Sequence, residues 1–345
     1  MDRRAALQAS ALYLIAFAGM AAGRSVEFNS LAWSAWKSRF LSGDGRIIDD
    51  GNAGISHSEG QGFGALLAQA NGDRSAFQQI ETWTQANLLV RHDHLMGWRW
   101  REGMGVASED QVTATDGDLF RAWALLRASR DSGWPEWAGR AEDIARDIAT
   151  RCLRPDPRVP SSPLLLPGSA SRADAKRVLI NPSYIMPRAL RELGSAAARP
   201  ELIAAADHGE TVLAELAALG AVPDWVDVTP EGYAAPVEHD YLSGFDALRV
   251  PLYLVWSGNT EHGAVKRGAN IMARANLVDH VAVVTTLGGD VREQSNFAGY
   301  LAIWYLASCR QAAKTFGASA DQPYYPATLE LLETLAAREG GACKP

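Results

Sequence analysis

Apolar residues recur at helical spacing almost from end to end of this chain, and that pattern constrains its fold more than any other feature. From Leu119, the residues Ala122, Trp123 and Leu126 follow at i+3, i+4 and i+7, one buried face of a helix. The same spacing marks 30–41, 58–70, 137–148, 183–193, 202–219, 246–256, 264–275, 297–313 and 327–336. Alternation of the β type is short, and 281–286, its clearest instance, fits a small hairpin. Pro155, Pro157, Pro160, Pro163 and Pro167 make 154–171 a loop, because proline lacks the amide that a helix interior needs. The Pro-, Asp- and Gly-rich stretch 222–239 is a second loop. More helix follows each at once, so neither separates domains. Ten or more helices in a continuous run predict an all-α fold, a closed array of helical hairpins.

The 345 residues are 47% apolar and 21% charged, the balance of a compact globular chain. A net charge of −7 without any Lys/Arg run argues against a nucleic-acid partner. At the N-terminus, Asp2-Arg3-Arg4 precedes an apolar run over 11–22, and Ala21-Ala22-Gly23 offers small residues for cleavage. This layout predicts a signal peptide over 1–23, one catalytic domain over 24–345, and a periplasmic or secreted protein. The run is shorter than the roughly 20 residues a bilayer span requires, so no stable membrane insertion is expected. Cys152, Cys309 and Cys343 allow one bridge without saying which pair forms it. No CxxC pair supports a zinc site, and His92 and His94 around Asp93 fit a solvated loop better than a metal pair.

Three acids stand at helix starts. In Ser58-Glu59-Gly60-Gln61 the spacing of Ser and Gln is that of a capping box, with Glu59 in the first turn. Gly60, Gly62 and Gly64 leave that turn bare for a ligand to approach. Thr115 with Asp118 repeats the pattern around Asp116, and Ser243 caps a helix whose third residue is Asp246. Acids in a first turn are also explained by the helix dipole alone, worth about 0.3–1 kcal/mol each. The spacing adds a second reading. Glu59 and Asp116 lie about one long hairpin apart, and Asp116 and Asp246 about two. In a ring of hairpins alternate helices run the same way, so their N-termini gather at one end.

Converging carboxylates are what glycoside hydrolysis needs: one acid protonates the leaving oxygen while another carboxylate activates water or attacks the anomeric carbon. The 11 tryptophans exceed either Tyr or Phe at 9 each. They serve a helical core or flat platforms for sugar rings, and composition alone favours the core. A helix N-terminus lowers a carboxyl pKa whereas a general acid needs a raised one, so burial and the Asp116 charge must prevail at Glu59. A non-catalytic glucan-binding protein is one rival. A polysaccharide lyase is another, disfavoured because three acids would repel a uronic acid. No GxSxG elbow occurs, and Gly60-Gln61-Gly62 follows no strand, so a dinucleotide fingerprint is not credible.

Taken in order, Ser58-Glu59-Gly60-Gln61-Gly62-Phe63-Gly64, Trp98-Arg99-Trp100, Ala114-Thr115-Asp116-Gly117-Asp118, Asn181-Pro182-Ser183-Tyr184 and Asp246-Ala247-Leu248-Arg249 resemble glycoside hydrolase family 8, from about Trp33 to Tyr325. Within that family the likeness is to the endoglucanases that accompany bacterial cellulose synthase. The resemblance implies an (α/α)6 barrel of six inner and six outer helices and an inverting mechanism, with no cofactor. It implies Glu59 as general acid, Asp246 as general base and Asp116 as the carboxylate holding the sugar at the scissile bond. Arg249 is implied beside the base, with Tyr184 and Trp98 or Trp100 as cleft aromatics. The implied substrate is a β-1,4-glucan, with chitosan, xylan or mixed-linkage glucan as alternatives, and the implied partner is cellulose synthase. Phe63 and Phe245 stand where tyrosine is common, and Arg121 occupies a usually apolar position.

Overall fold

The computed structural model describes residues 30–174, 176–310 and 322–341. The expected leader at 1–23 lies outside them. Eleven helices stand among the described residues: α1 (Ser30–Phe40), α2 (Ser58–Ala70), α3 (Arg74–Asn87), α4 (Thr115–Arg130), α5 (Ala138–Arg151), α6 (Pro187–Ala196), α7 (Pro200–Leu219), α8 (Arg249–Trp256), α9 (Gly263–Met272), α10 (Ala298–Ala307) and α11 (Tyr324–Glu339).

Six of them, α2, α4, α6, α8, α10 and α11, pack each on the next, and α11 returns to α2 to close the ring. Outside it, α1 packs on α11, α3 on α2, α5 on α4, α7 on α6 and α9 on α8. This is the (α/α)6 barrel. Burial follows the sequence pattern. Every residue from Thr115 to Ala128 of α4 is buried, and so is all of α8. A helix without a polar face is stable only when surrounded. The outer α3 instead buries one stripe, Ala76, Phe77, Ile80 and Trp83. Among the described residues no helix is long and apolar enough to cross a membrane.

Short strands lie in the connections: β1 (Ser56–His57), β2 (Arg99–Trp100), β3 (Leu153–Pro155), β4 (Pro163–Leu165), β5 (Val178–Ile180), β6 (Val226–Thr229), β7 (Gly232–Ala234), β8 (Val281–Thr285) and β9 (Val291–Ser295). β8 and β9 form the expected hairpin. The two expected loops are more ordered than their prolines foretell. β3 pairs with β4, and β5, β6 and β7 form a three-stranded antiparallel sheet. Cys309 is disulfide-bonded, whereas Cys152 is a buried free thiol.

Candidate active site

The N-terminal turns of α2 and α4 touch through glycine. A Cβ on Gly62 would meet the Gly117 carbonyl at 2.9 Å, and one on Gly117 would lie 2.6 Å from the Glu59 amide. Gly60 faces the Tyr324 hydroxyl and His57, while Gly64 faces Ile47. The glycines expected to bare this turn to a ligand therefore admit protein instead, and they set Glu59 beside Asp116. The expected capping box does not form either. Ser58 already belongs to the helix, and its buried Oγ has no hydrogen-bond partner. His57 is the cap: its Nδ1 accepts from the Gly60 amide at 3.0 Å, and its Nε2 lies 3.3 Å from Asp49 Oδ2. Gln61 turns inward, accepting from the Ile47 amide and donating to Thr84.

On α4 the cap position is Ala114, which offers no side-chain bond, and Thr115 is the first helical residue. Asp116 Oδ1 accepts from the Gly117 amide at 2.8 Å, and Asp118 points away to accept from the Met96 amide. Asp246 sits in a turn before α8 rather than at its third residue. Ser243 is drawn off into a bridge with Thr285 on β8, and Asp224 takes its capping place, accepting the Gly244 and Ala247 amides.

Arg249, the first residue of α8, joins the acids. It is 2% exposed. Its Nη1 donates to Glu59 Oε2 at 2.6 Å, and its Nη2 donates to Asp246 Oδ1 at 2.8 Å and to Ser183 Oγ at 2.7 Å. Asp116 Oδ2 lies 3.7 Å from Nη2, buried and without a hydrogen bond. Asn181 Nδ2 donates to the other Asp246 oxygen at 2.8 Å. Arg249 is thus a hub among the acids as well as part of the cleft wall.

The three acids, Arg249, Trp98, Tyr184, Phe245, Tyr325, His57 and Asp49 line one cleft of about 260 Å³. Pairing of β1 with β2 delivers Trp98, whose carbonyl accepts from the Ser58 amide. Trp100 is turned elsewhere. It packs edge-on against Trp83, under the Arg46 guanidinium, and does not line the cleft. Phe63 is fully buried against Phe120 at 4.8 Å and cannot reach it either. Among the described residues no group of three or more His, Cys, Asp or Glu could hold a metal ion.

Burial raises the proton affinity of Glu59, but the Arg249 and His57 charges together with hydrogen bonds to Asp116 and Arg249 outweigh it and leave the carboxyl below its ordinary range. Burial and the neighbouring Glu59 charge push Asp116 well above its range. Of the two carboxyls Asp116 is the raised one and Glu59 the lowered one, the reverse of the expectation for Glu59. The expectation omitted Arg249, which is remote in sequence and 2.6 Å away in space. Asn181, Asp224, Tyr325 and His57 are site residues that sequence reasoning did not single out. Only Asn181 carried a signal, inside the Asn181-Pro182-Ser183-Tyr184 motif.

Residues 5–339 match the model of the family described as glycosyl hydrolases family 8. An endoglucanase of Cellulomonas uda is 34% identical over 65% of this chain and 63% of its own length. One of Salmonella typhi is 33% identical over 70% of this chain and 65% of its own. The chain thus spans a little under two thirds of these relatives. The endo-β-1,4-glucanase CMCax of Acetobacter xylinum superposes with a TM-score of 0.79 at 27% identity, covering 91% of this chain and 99% of that one. A β-1,3-1,4-glucanase from Paenibacillus, at 19% identity and a TM-score of 0.74, covers 91% of each chain and shares the fold.

Proposed function

Because this chain belongs to glycosyl hydrolase family 8, we propose that it is an inverting endo-β-1,4-glucanase acting on cellulose-like glucan. The observation that carries the reading is the placement of Glu59 and Asp246 on opposite nitrogens of one buried guanidinium, inside a cleft lined by Trp98 and Tyr184. The printed names of its relatives, endoglucanases, support the substrate.

In this mechanism Asp246 is the base. Asn181 and Arg249 fix both of its oxygens, so its remaining lone pairs have a defined direction for a water. Arg249 keeps the acid and base apart, which leaves space for that water between carboxylate and anomeric carbon. Glu59 is the acid and must gain a proton first. The source is Asp116. Sugar binding that stabilises the ionised form of Asp116 lets its proton pass to Glu59, to which its side chain is hydrogen-bonded, and then to the leaving oxygen. Turnover returns a proton from the attacking water through Asp246.

Two finer readings belong to the same proposal. Export to the periplasm or beyond is supported by the leader-like N-terminus and by the disulfide at Cys309. Service to a cellulose synthase rests on the family resemblance of the motifs. The deciding experiment is turnover of cello-, xylo- and chito-oligosaccharides, with the product anomer followed by NMR. Cello-oligosaccharides are expected to be cut with inversion, and E59Q is expected to lower kcat about a hundredfold or more. Retention of configuration, or a kcat unchanged in E59Q, refutes the assignment. Glucan binding without turnover at any pH establishes the non-catalytic reading instead.

A further inference from the structure

We propose that Asp224 is a positioning residue for the base, its carboxylate fastening the turn that carries Asp246. The inference rests on the acid–base reading above. The chain from Gly244 to Leu248 is not helical, and its bonds to itself are few: the Leu248 amide reaches the Gly244 carbonyl at 3.3 Å, and the Arg249 amide reaches the Asp246 carbonyl at 3.0 Å. Tyr325 holds one carbonyl of it, its hydroxyl donating to Phe245 at 2.8 Å, and its amides are gripped by a single oxygen. Asp224 Oδ1 accepts from the Gly244 amide at 2.9 Å and from the Ala247 amide at 2.8 Å, one on each side of Asp246. Asp224 is itself anchored, its amide donating to the Leu242 carbonyl at 2.9 Å. It does not line the cleft, so it acts through the turn.

The fit is close on the far side too. A Cβ on Gly244 would lie 2.5 Å from Asp224 Oδ2, so only glycine lets the carboxylate come this near. Burial, and then the charge of Asp246, push the Asp224 carboxyl up to about 6, as expected of two acids standing back to back. Asn181 and Arg249 hold the Asp246 side chain from the front, and Asp224 holds its backbone from behind. Without that acceptor, two amides lose their partner and the turn loses its definition. A displaced base costs rate rather than binding.

The test is kcat and KM of D224A, D224N and G244A on cellohexaose, with circular dichroism and thermal melts as fold controls. D224A is expected to lower kcat on the order of 10- to 100-fold with KM within about twofold. Asn retains an oxygen that accepts both amides, so D224N is expected to recover most of that loss. G244A presses on the same contact from the other partner and is expected to lower kcat as well. A folded D224A or G244A with wild-type kcat, or a loss confined to KM, overturns the proposal. Should D224A fail to fold, G244A and D224N decide by the same criteria. A wild type that cuts no glucan refutes the function itself, whereas an active wild type with an active, folded D224A refutes this inference alone.

Discussion

Asp118 follows Asp116 by two residues on α4 and has a different task. Its Oδ1 accepts the Met96 amide, while Oδ2 is buried without a partner. Burial pushes the carboxyl from 3.8 up to about 8. The native chain therefore keeps a proton that the unfolded chain releases. Over the window from about pH 4 to about pH 8 the native state binds more protons, so stability falls as pH rises and levels off above it. D118N retains the acceptor for Met96 and removes the titration. Its melting temperature is expected to fall less than the wild type's between about pH 6 and pH 8, and an unchanged slope there would exclude Asp118 as the source. At this scale the sequence exposed Glu59 and Asp116 as acids in first helical turns, whereas Asp246 lies in the turn before α8. It hid much of what surrounds them, since Arg249 meets Glu59, and Asn181 and Asp224 meet Asp246 and its turn, only through the fold.

The pairing of α3 with α4 explains Arg121. Its guanidinium makes two bonds to Glu81, at 2.7 and 3.0 Å, both residues are 1% exposed, and Arg140 of α5 adds a third bond. The polar residue at an apolar position is one half of an ion pair whose other half lies on the neighbouring helix. The same pair is why α3 escaped the periodicity: Glu81 and Thr84 sit on its inward face and interrupt the apolar stripe. R121A leaves the buried Glu81 carboxylate with Arg140 alone and is expected to cost about 3 kcal/mol in urea unfolding. The apolar pair E81L/R121M is expected to recover most of it, and a double variant no better than R121A would contradict this account. The glycine contact between α2 and α4 supplies a second prediction. G117A crowds the Glu59 amide and is expected to cost about 1–3 kcal/mol of stability. It is also expected to lower kcat, because it parts the two carboxyls that share a proton. Wild-type kcat in a folded G117A would show that their separation does not matter.

Across the whole barrel the two ends are built differently. At the end away from the cleft, Glu339 in the last turn of α11 binds Arg127 of α4 through both oxygens, Arg188 of α6 at 3.1 Å, and the Trp256 indole of α8 at 2.9 Å. Four inner helices meet on one carboxylate. E339A takes a shared acceptor from two arginines and an indole, while Arg127 keeps Gln69 and Arg188 keeps Glu192, and a loss of about 1–3 kcal/mol is expected in urea unfolding. With the cleft a helix length away, kcat should stay within about twofold of wild type at a temperature where both are folded. A large kcat loss in folded E339A would mean that the ends are coupled. The helical count and the hairpin order were legible because each hairpin is local in sequence. The run of hairpins already foretold a closed array, but the contacts that close it were not legible, since they join residues as distant as Glu339 and Arg127, 212 residues apart.

Among the described residues Arg249 is the cation bonded to both Glu59 and Asp246. Glu59, Asp116 and Asp246 gather three carboxyls around its single positive charge, and Asp49 adds a fourth to the cleft wall. The centre is therefore electronegative before any sugar arrives, and a bond that breaks by building positive charge at carbon finds a compensating field already installed. The same field sorts molecules that imitate that moment. A sugar-shaped ammonium gains from it, a neutral ring of the same outline does not, and an anionic one is repelled. An inhibitor of this cleft should be shaped like glucose and charged like a base.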